Sequence, residues 1–151
     1  MSIDVTAETV IKRRRGDVAS FAMDADNDPV WIGGIKQART LTERPFGKGT
    51  RVERVAGFLG KRIEYINEVT EYEPESHLVM ESVKSPFQMR ISYRFEDRQG
   101  DTLARIRVEG ETNGFYRLAR PLLSRAVKRS ITNDLNTLKT LLESGQNRPH
   151  G

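Results

Sequence analysis

The sequence predicts an α+β fold in which one antiparallel sheet of six or seven strands is covered on one face by a long C-terminal helix. Three observations support this prediction. Short apolar segments alternate with glycine and proline through the middle of the chain, their residues alternate between apolar and polar, and the last third repeats apolar residues at helical spacing. A sheet with one buried face needs one covering layer, which the helix supplies.

The N-terminal part of the chain predicts one strand followed by two short helices. Residues 3–11 are rich in Val, Ile and Thr, which favours a strand. Asp17 follows a basic stretch and marks the start of the first helix. Asp28, Pro29 and Trp31 then predict a second helix, with the aspartate as N-cap and the proline at the first helical position.

Residues 35–112 predict a series of strands joined by short turns. The predicted strands are 35–41, 51–58, 61–72, 77–83, 87–95 and 102–112. Short connections favour antiparallel neighbours, because parallel pairing needs a crossover of about a dozen residues. In the strand 87–95 the odd positions are apolar and the even positions are polar, so one face of the sheet is expected to be buried.

A long helix is predicted over residues 121–143. Its apolar stripe consists of Ala119, Leu123, Val127, Ile131, Leu135, Leu138 and Leu142. At roughly 1.5 Å per residue this helix is about 35 Å long, enough to cross several strands. We expect residues 1–145 to form one domain and residues 146–151 to be a flexible tail.

Composition limits the chemistry. The chain of 151 residues has no cysteine, which excludes disulfides, thiolate catalysis and sulfur-ligated metals and fits a cytoplasmic protein. The net charge of +4 comes from 25 basic and 21 acidic residues, and the excess lies in residues 115–145, with six basic residues against two acidic ones. Such a segment is either a solvated helix face or a surface for an anionic partner.

The sequence lacks residues that the known catalytic and metal-binding motifs require. The chain has two histidines, and His77 alone lies outside the expected tail, so neither a histidine-based mechanism nor a zinc site is favoured. The acidic residues before Pro29 begin like a calcium loop, but that proline stands where the loop needs glycine. Residues 47–50 resemble the end of a phosphate loop, but the first glycine of that loop is missing. We therefore predict no cofactor, no metal and no nucleic-acid partner.

Two local features carry a family resemblance. They are the group Asp24, Asn27, Pro29 and Trp31 and the group Asp134, Leu135, Leu138 and Lys139. With the element order, they resemble the START-like, polyketide cyclase-dehydratase (SRPBCC) superfamily. The resemblance implies a helix-grip fold, in which seven curved strands surround the long helix and enclose a cavity for lipids, polyketides or other apolar molecules. Members include both carriers and enzymes, so the fold leaves the function open.

The cavity walls are predicted from side chains on the expected buried faces of the strands and the helix. These are Phe58, Val79, Phe87, Met89, Ile91, Tyr93, Ile106, Val108, Phe115, Leu122, Ala126 and Ile131. Tyr65, Asn67 and Glu81 are candidate polar anchors. If Glu81 faces the cavity, Arg54 is its candidate partner; if Leu78 and Met80 face inward instead, Glu81 is solvated.

Three functions remain open. The first is a non-catalytic carrier of a small hydrophobic or amphipathic ligand. The second is a cyclase, aromatase or dehydratase in which Glu81 and Tyr65 are candidate catalytic residues. The third is a protein- or membrane-interaction module that uses the basic residues Arg125, Lys128 and Arg129.

Overall fold

The computed structural model describes residues 2–43, 45–111, 114–116 and 118–145. Its seven strands are β1 (Ser2–Ile11), β2 (Ile35–Thr40), β3 (Arg51–Phe58), β4 (Lys61–Glu73), β5 (His77–Lys84), β6 (Gln88–Arg98) and β7 (Asp101–Glu111). The helices are α1 (Arg15–Ala22), α2 (Asp28–Trp31) and α3 (Arg120–Ser144), with a 3₁₀ turn at Ala25–Asn27. The predicted tail, 146–151, lies outside the described residues.

All seven strands form one antiparallel sheet in the order β1-β7-β6-β5-β4-β3-β2. The predicted meander is confirmed for β2 to β7. The first strand departs from sequence order, because β1 pairs with the last strand and Ala7 lies opposite Ile106. The sheet therefore begins and ends with strands that come early in the sequence.

The short helices pack against the core of the sheet through Val18, Ala22 and Trp31. Asp28, however, does not have its predicted role. Asp28 is the first residue of α2, and the N-cap position belongs to Asn27. The Asp28 side chain makes an ion pair with Arg54 instead of capping the helix. Trp31, which is 2% exposed, packs edge-on against Tyr93 with ring centroids 5.9 Å apart.

Helix α3 covers the buried face of the sheet. The apolar stripe is confirmed along most of its length by Leu123, Ile131, Leu135, Leu138 and Leu142, which are all buried. Gly145 ends the helix with a φ of 75°, a left-handed conformation that glycine adopts without strain. No helix within the described residues is both long enough and apolar enough to cross a membrane.

The outer edge of β1 is covered by lysines from α3. The Lys139 ammonium donates to the carbonyl oxygen of Val10 at 2.7 Å, and the Lys128 ammonium donates to that of Thr6. At the end of the strand, the Lys12 N–H donates to a carboxylate oxygen of Glu143 at 2.8 Å. Side chains of α3 therefore satisfy polar groups that an edge strand normally leaves to solvent.

Candidate functional site

A cavity of about 180 Å³ lies between the buried face of the sheet and α3. Nine of its lining residues were predicted from the sequence, namely Phe58, Tyr65, Phe87, Met89, Ile91, Tyr93, Ile106, Val108 and Ile131. The other lining residues are Ile3, Ile32, Gly34, Ile35, Arg54, Ala56, Gly57, Ile63, Gly110, Tyr116, Leu123, Val127, Ser130 and Asp134. The walls are mainly apolar, with a few polar groups.

One end of the cavity is covered by an aromatic cluster, which we define as Phe58, Phe87, Phe115 and Tyr116. Ring centroids within it are separated by 5.0 to 6.1 Å. The Tyr116 hydroxyl donates to the carbonyl oxygen of Phe58 at 3.1 Å, which ties the segment before α3 to the β3–β4 hairpin. The three phenylalanines are only half-buried, so this end of the cavity reaches the protein surface.

The opposite end of the cavity contains a buried ion pair. Arg54 Nε donates to Asp28 Oδ2 at 2.6 Å, and the side chains are 4% and 1% exposed. Arg54 Nη1 lies 3.5 Å from the sulfur of Met80, and no described residue accepts a hydrogen bond from Nη2. Arg54 therefore brings unused donors to an otherwise apolar chamber.

The charge on Arg54 is maintained by its neighbours. Desolvation is the largest influence and lowers the pKa of the guanidinium, but Asp28, Tyr65 and Tyr93 together outweigh it, so the net pKa is raised. Burial raises the pKa of the Asp28 carboxyl, and the guanidinium opposes that change. At 2.6 Å the pair is best described as ionised. Protonation of Asp28 would leave the charged guanidinium buried without a counter-ion.

Two tyrosines stand close to this ion pair. Tyr65 lies opposite Arg54 in the β3–β4 register, and Tyr93 lies on β6. Burial raises the pKa of both phenols, with a smaller opposing influence from Arg54. Both side chains therefore remain protonated near neutral pH and can donate hydrogen bonds to a ligand.

Asp134 contributes a carboxyl group to the cavity from α3. Its Oδ1 accepts a hydrogen bond from the Gly33 N–H at 3.0 Å, and the residue is 7% exposed. Burial raises the pKa of Asp134 to about 6, although the Gly33 bond acts in the opposite direction. This carboxyl can therefore change protonation state near neutral pH.

Glu81 does not lie in the cavity. It is exposed, while Leu78 and Met80 are buried, so the inward phase of β5 is the one that includes Met80. Val79 lines a groove on the other face of the sheet instead. The partner of Arg54 is Asp28, and of the two alternatives for Glu81 the structure shows the one in which it is solvated and does not pair with Arg54.

Three further predicted wall residues and one predicted anchor lie outside the cavity lining. Leu122 is 52% exposed, Ala126 is half-buried, and Phe115 packs behind Phe87 at 5.3 Å. Asn67 is fully buried, and its side-chain oxygen and nitrogen have no hydrogen-bond partner within the described residues. An amide buried in this way is costly unless water reaches it.

Some functional residues were missed although the sequence contains a signal for them. Asp134 follows Ile131 by three residues and precedes Leu138 by four, so the helical stripe itself places a carboxylate on the apolar face. The role of Asp28 has no comparable signal, since its partner is 26 residues away. The described residues contain no group of three or more His, Cys, Asp or Glu placed to hold a metal ion.

Sequence comparison agrees with the fold. The family model for polyketide cyclase / dehydrase and lipid transport matches residues 2–143. The chain belongs to this family. No curated protein matches the sequence at a significant level. Membership in the polyketide cyclase / dehydrase and lipid transport family confirms the predicted resemblance. By its description, this family includes both catalytic and transport proteins.

Solved structures show the same helix-grip fold at low sequence identity. The Zhui aromatase/cyclase from Streptomyces sp. R1128 has a TM-score of 0.81 and 15% identity, covering 100% of this chain and 99% of that one. A START superfamily protein from Mycobacterium smegmatis has a TM-score of 0.80 and 13% identity, with 93% and 97% covered. At such identities the likeness establishes the architecture alone.

Proposed function

We propose that this protein binds a small amphipathic molecule, with its apolar part against the aromatic cluster and an oxygen-containing group facing Arg54. The observation that carries the proposal is an apolar cavity whose inner end holds a buried, charged Arg54 with unused donors. A guanidinium edge that faces an apolar chamber is well suited to donate hydrogen bonds to a carbonyl or carboxylate oxygen. Tyr65 and Tyr93 supply neutral donors beside it.

The volume of the cavity limits the size of the ligand. A cavity of about 150 Å³ in an engineered protein takes one benzene molecule, whereas pockets for drug-sized ligands start near 300 Å³. The cavity of about 180 Å³ therefore fits one ring or a short acyl chain. A longer lipid or polyketide would extend past Phe58 and Phe87 to the surface.

The test has two stages. Native mass spectrometry of protein purified from its own host, followed by organic extraction, is expected to release an amphipathic molecule at stoichiometric amount. Calorimetric titration with aromatic carboxylates and short fatty acids, compared with the corresponding hydrocarbons, then measures the contribution of the polar group. Equal affinity for acids and hydrocarbons, or no binding of either, would refute the proposal.

A matched pair of variants tests the location of the ligand. Val108→Phe places a larger side chain in the cavity and is expected to lower affinity at least tenfold. Val10→Phe makes the same change on β1 at a side chain that is 43% exposed and does not line the cavity. Its affinity should match that of the unchanged protein.

Asp134 supports a second candidate function, an enzyme that moves protons on a bound carbonyl compound. A cavity-lining carboxyl with a pKa of about 6 can act as an acid or a base near neutral pH. Tyr65 remains a candidate catalytic residue, while Asp134 replaces Glu81. The similarity of the fold to an aromatase/cyclase agrees with this candidate.

Proton exchange provides a direct assay for this enzymatic candidate. Incorporation of deuterium at the α-carbon of cyclohexanone, followed by NMR, is expected to be accelerated by the protein, and the acceleration is expected to be lost in Asp134→Asn and Tyr65→Phe. Unchanged affinity for the ketone in these variants would show that the loss arises in the chemical step and not in binding.

As part of the same proposal, residues 1–145 act as a single ligand-binding domain in the cytoplasm.

A further inference from the structure

Two large apolar side chains at the aromatic end of the molecule point into solvent. Leu59, at the tip of the β3–β4 hairpin, is 46% exposed, and Leu122, in the first turn of α3, is 52% exposed. The Tyr116–Phe58 hydrogen bond joins the β3–β4 hairpin to the segment just before α3. Both leucines therefore lie at the end of the protein where the cavity reaches the surface.

Cations surround this end. Lys61 lies over the ring of Phe115, with its ammonium 4.9 Å from the ring centroid. Arg125 and Arg129 follow Leu122 by three and seven residues, so they share its solvent-facing side of α3. A groove of about 490 Å³ beside the helix is lined by Arg125, Lys128 and Arg129. Its acidic member, Asp4, is already bound by Arg107 at 2.6 Å.

The positions of these cations do not favour the helix itself. The first turn of α3 contains no acidic residue, and the basic residues 120, 125, 128 and 129 lie in its N-terminal half. A helix dipole favours negative charge in the first turn, so Arg120 is unfavourable for helix stability and no acidic side chain in that turn compensates for it. A partner that carries negative charge would compensate for it.

We propose that the aromatic end docks on an anionic lipid bilayer, with Leu59 and Leu122 entering the interface and Lys61, Arg125 and Arg129 contacting the headgroups. Isolated apolar side chains on two separate tips, flanked by cations, match the chemistry of a bilayer interface, where apolar burial and headgroup attraction act together. The proposal rests on the proposed function. Docking would bring the surface-facing end of the cavity to the bilayer, where apolar molecules dissolve.

Vesicle co-sedimentation with the full chain tests this surface. The protein is expected to bind vesicles of phosphatidylcholine mixed with phosphatidylglycerol, to bind phosphatidylcholine vesicles weakly, and to dissociate as salt is raised. Arg125→Glu with Arg129→Glu should lower binding at least about tenfold. The control, Arg94→Glu with Arg98→Glu on the opposite face of β6, makes the same change in net charge and should lower binding much less.

The leucines are tested separately. Leu122→Ser and Leu59→Asn should each weaken binding to the mixed vesicles; asparagine suits the positive φ of 51° at position 59. Equal losses in the control pair, or no vesicle binding at any salt concentration, would overturn the docking proposal, and binding of a soluble acidic protein in place of vesicles would do the same. Calorimetric titration with the aromatic carboxylates and short fatty acids measures ligand binding in the cavity independently of vesicle binding. Probe binding without vesicle binding refutes only the docking surface, whereas vesicle binding without probe binding refutes only the ligand proposal.

Discussion

Arg54 on β3 and Asp28 on α2 form a hydrogen-bonded ion pair of 2.6 Å in which both side chains are almost completely buried. The pair links the short helix to the sheet and, through α2, fixes the position of Trp31 over Tyr93. It also determines which donors of Arg54 remain available to the cavity. Under the proposed function, the same contact stabilises the fold and orients the donors that would bind the ligand.

Removing one partner of this pair should be more damaging than removing both. Arg54→Met leaves the Asp28 carboxylate buried without a cation, and we expect the free energy of unfolding to fall by about 3–5 kcal/mol. Arg54→Met combined with Asp28→Leu should recover most of that loss. Urea denaturation of the two variants measures the difference. Additive losses would show that the two side chains stabilise the fold independently.

Asp134 should make the protein less stable as the pH rises from 4 to 6. Its pKa is raised from 3.8 to about 6 in the folded protein, so the folded state binds the proton more tightly and is favoured where the carboxyl is protonated. That stabilisation is lost as the pH rises through about 6. The expected change, on the order of 2 kcal/mol, is measured by urea denaturation across this range.

The matched variant for this prediction is Asp134→Asn. Its amide oxygen can still accept a hydrogen bond from Gly33, but it does not titrate. The corresponding decline should therefore be absent from the variant. A decline of equal size in both proteins would assign the pH dependence to other groups.

Asn67 should be replaceable by leucine with a gain in stability. Its amide is fully buried, and its polar atoms have no partner within the described residues. Asn67→Leu is expected to raise the free energy of unfolding by about 1–2 kcal/mol, because an unpaired amide is exchanged for an apolar group of similar size. Asn133→Leu, at an exposed position on α3, is the control. A loss of stability in Asn67→Leu would reveal a buried water that satisfies the amide.

The hydroxyl of Tyr116 should stabilise the aromatic end. Tyr116→Phe removes the hydrogen bond to the Phe58 carbonyl while keeping the ring contacts, and it should cost about 1 kcal/mol in thermal or urea unfolding. Tyr72→Phe is a suitable control, since Tyr72 packs its ring against Phe46 and its hydroxyl has no hydrogen bond within the described residues. Equal effects in both variants would contradict a specific role for the Tyr116 bond.

Much of the fold could be predicted because hydrophobic periodicity is a local property. The alternation in β6 and β7 identified Tyr93, Ile106 and Val108 as inward-facing, and the spacing in α3 identified Ile131. The phase of β5 could not be predicted in the same way. Leu78 and Met80 are no more apolar than Val79 and Val83, so composition does not show which face of β5 is inward. Register irregularities between β4 and β5 also prevent the phase of β4 from being carried over to β5.

The polar half of the site depends on contacts between distant parts of the chain. Asp28 next to Pro29 satisfies every local rule for a helix cap, yet its side chain makes an ion pair with a residue of β3. Arg54 was predicted as the candidate cation of the cavity, but its actual partner could not be identified from strand alternation. Asp134 was predictable in position but not in its contact with Gly33.

The lysines on α3 also bear on how the protein behaves at high concentration. An incoming strand would have to pair with the carbonyls of Thr6 and Val10, and the ammonium groups of Lys128 and Lys139 already bind them. Such a strand would also have to displace two charged side chains from the edge of the sheet. Aggregation by strand addition is therefore blocked along β1 as long as α3 stays in place, and local detachment of the helix would expose the edge and the apolar cavity in the same event.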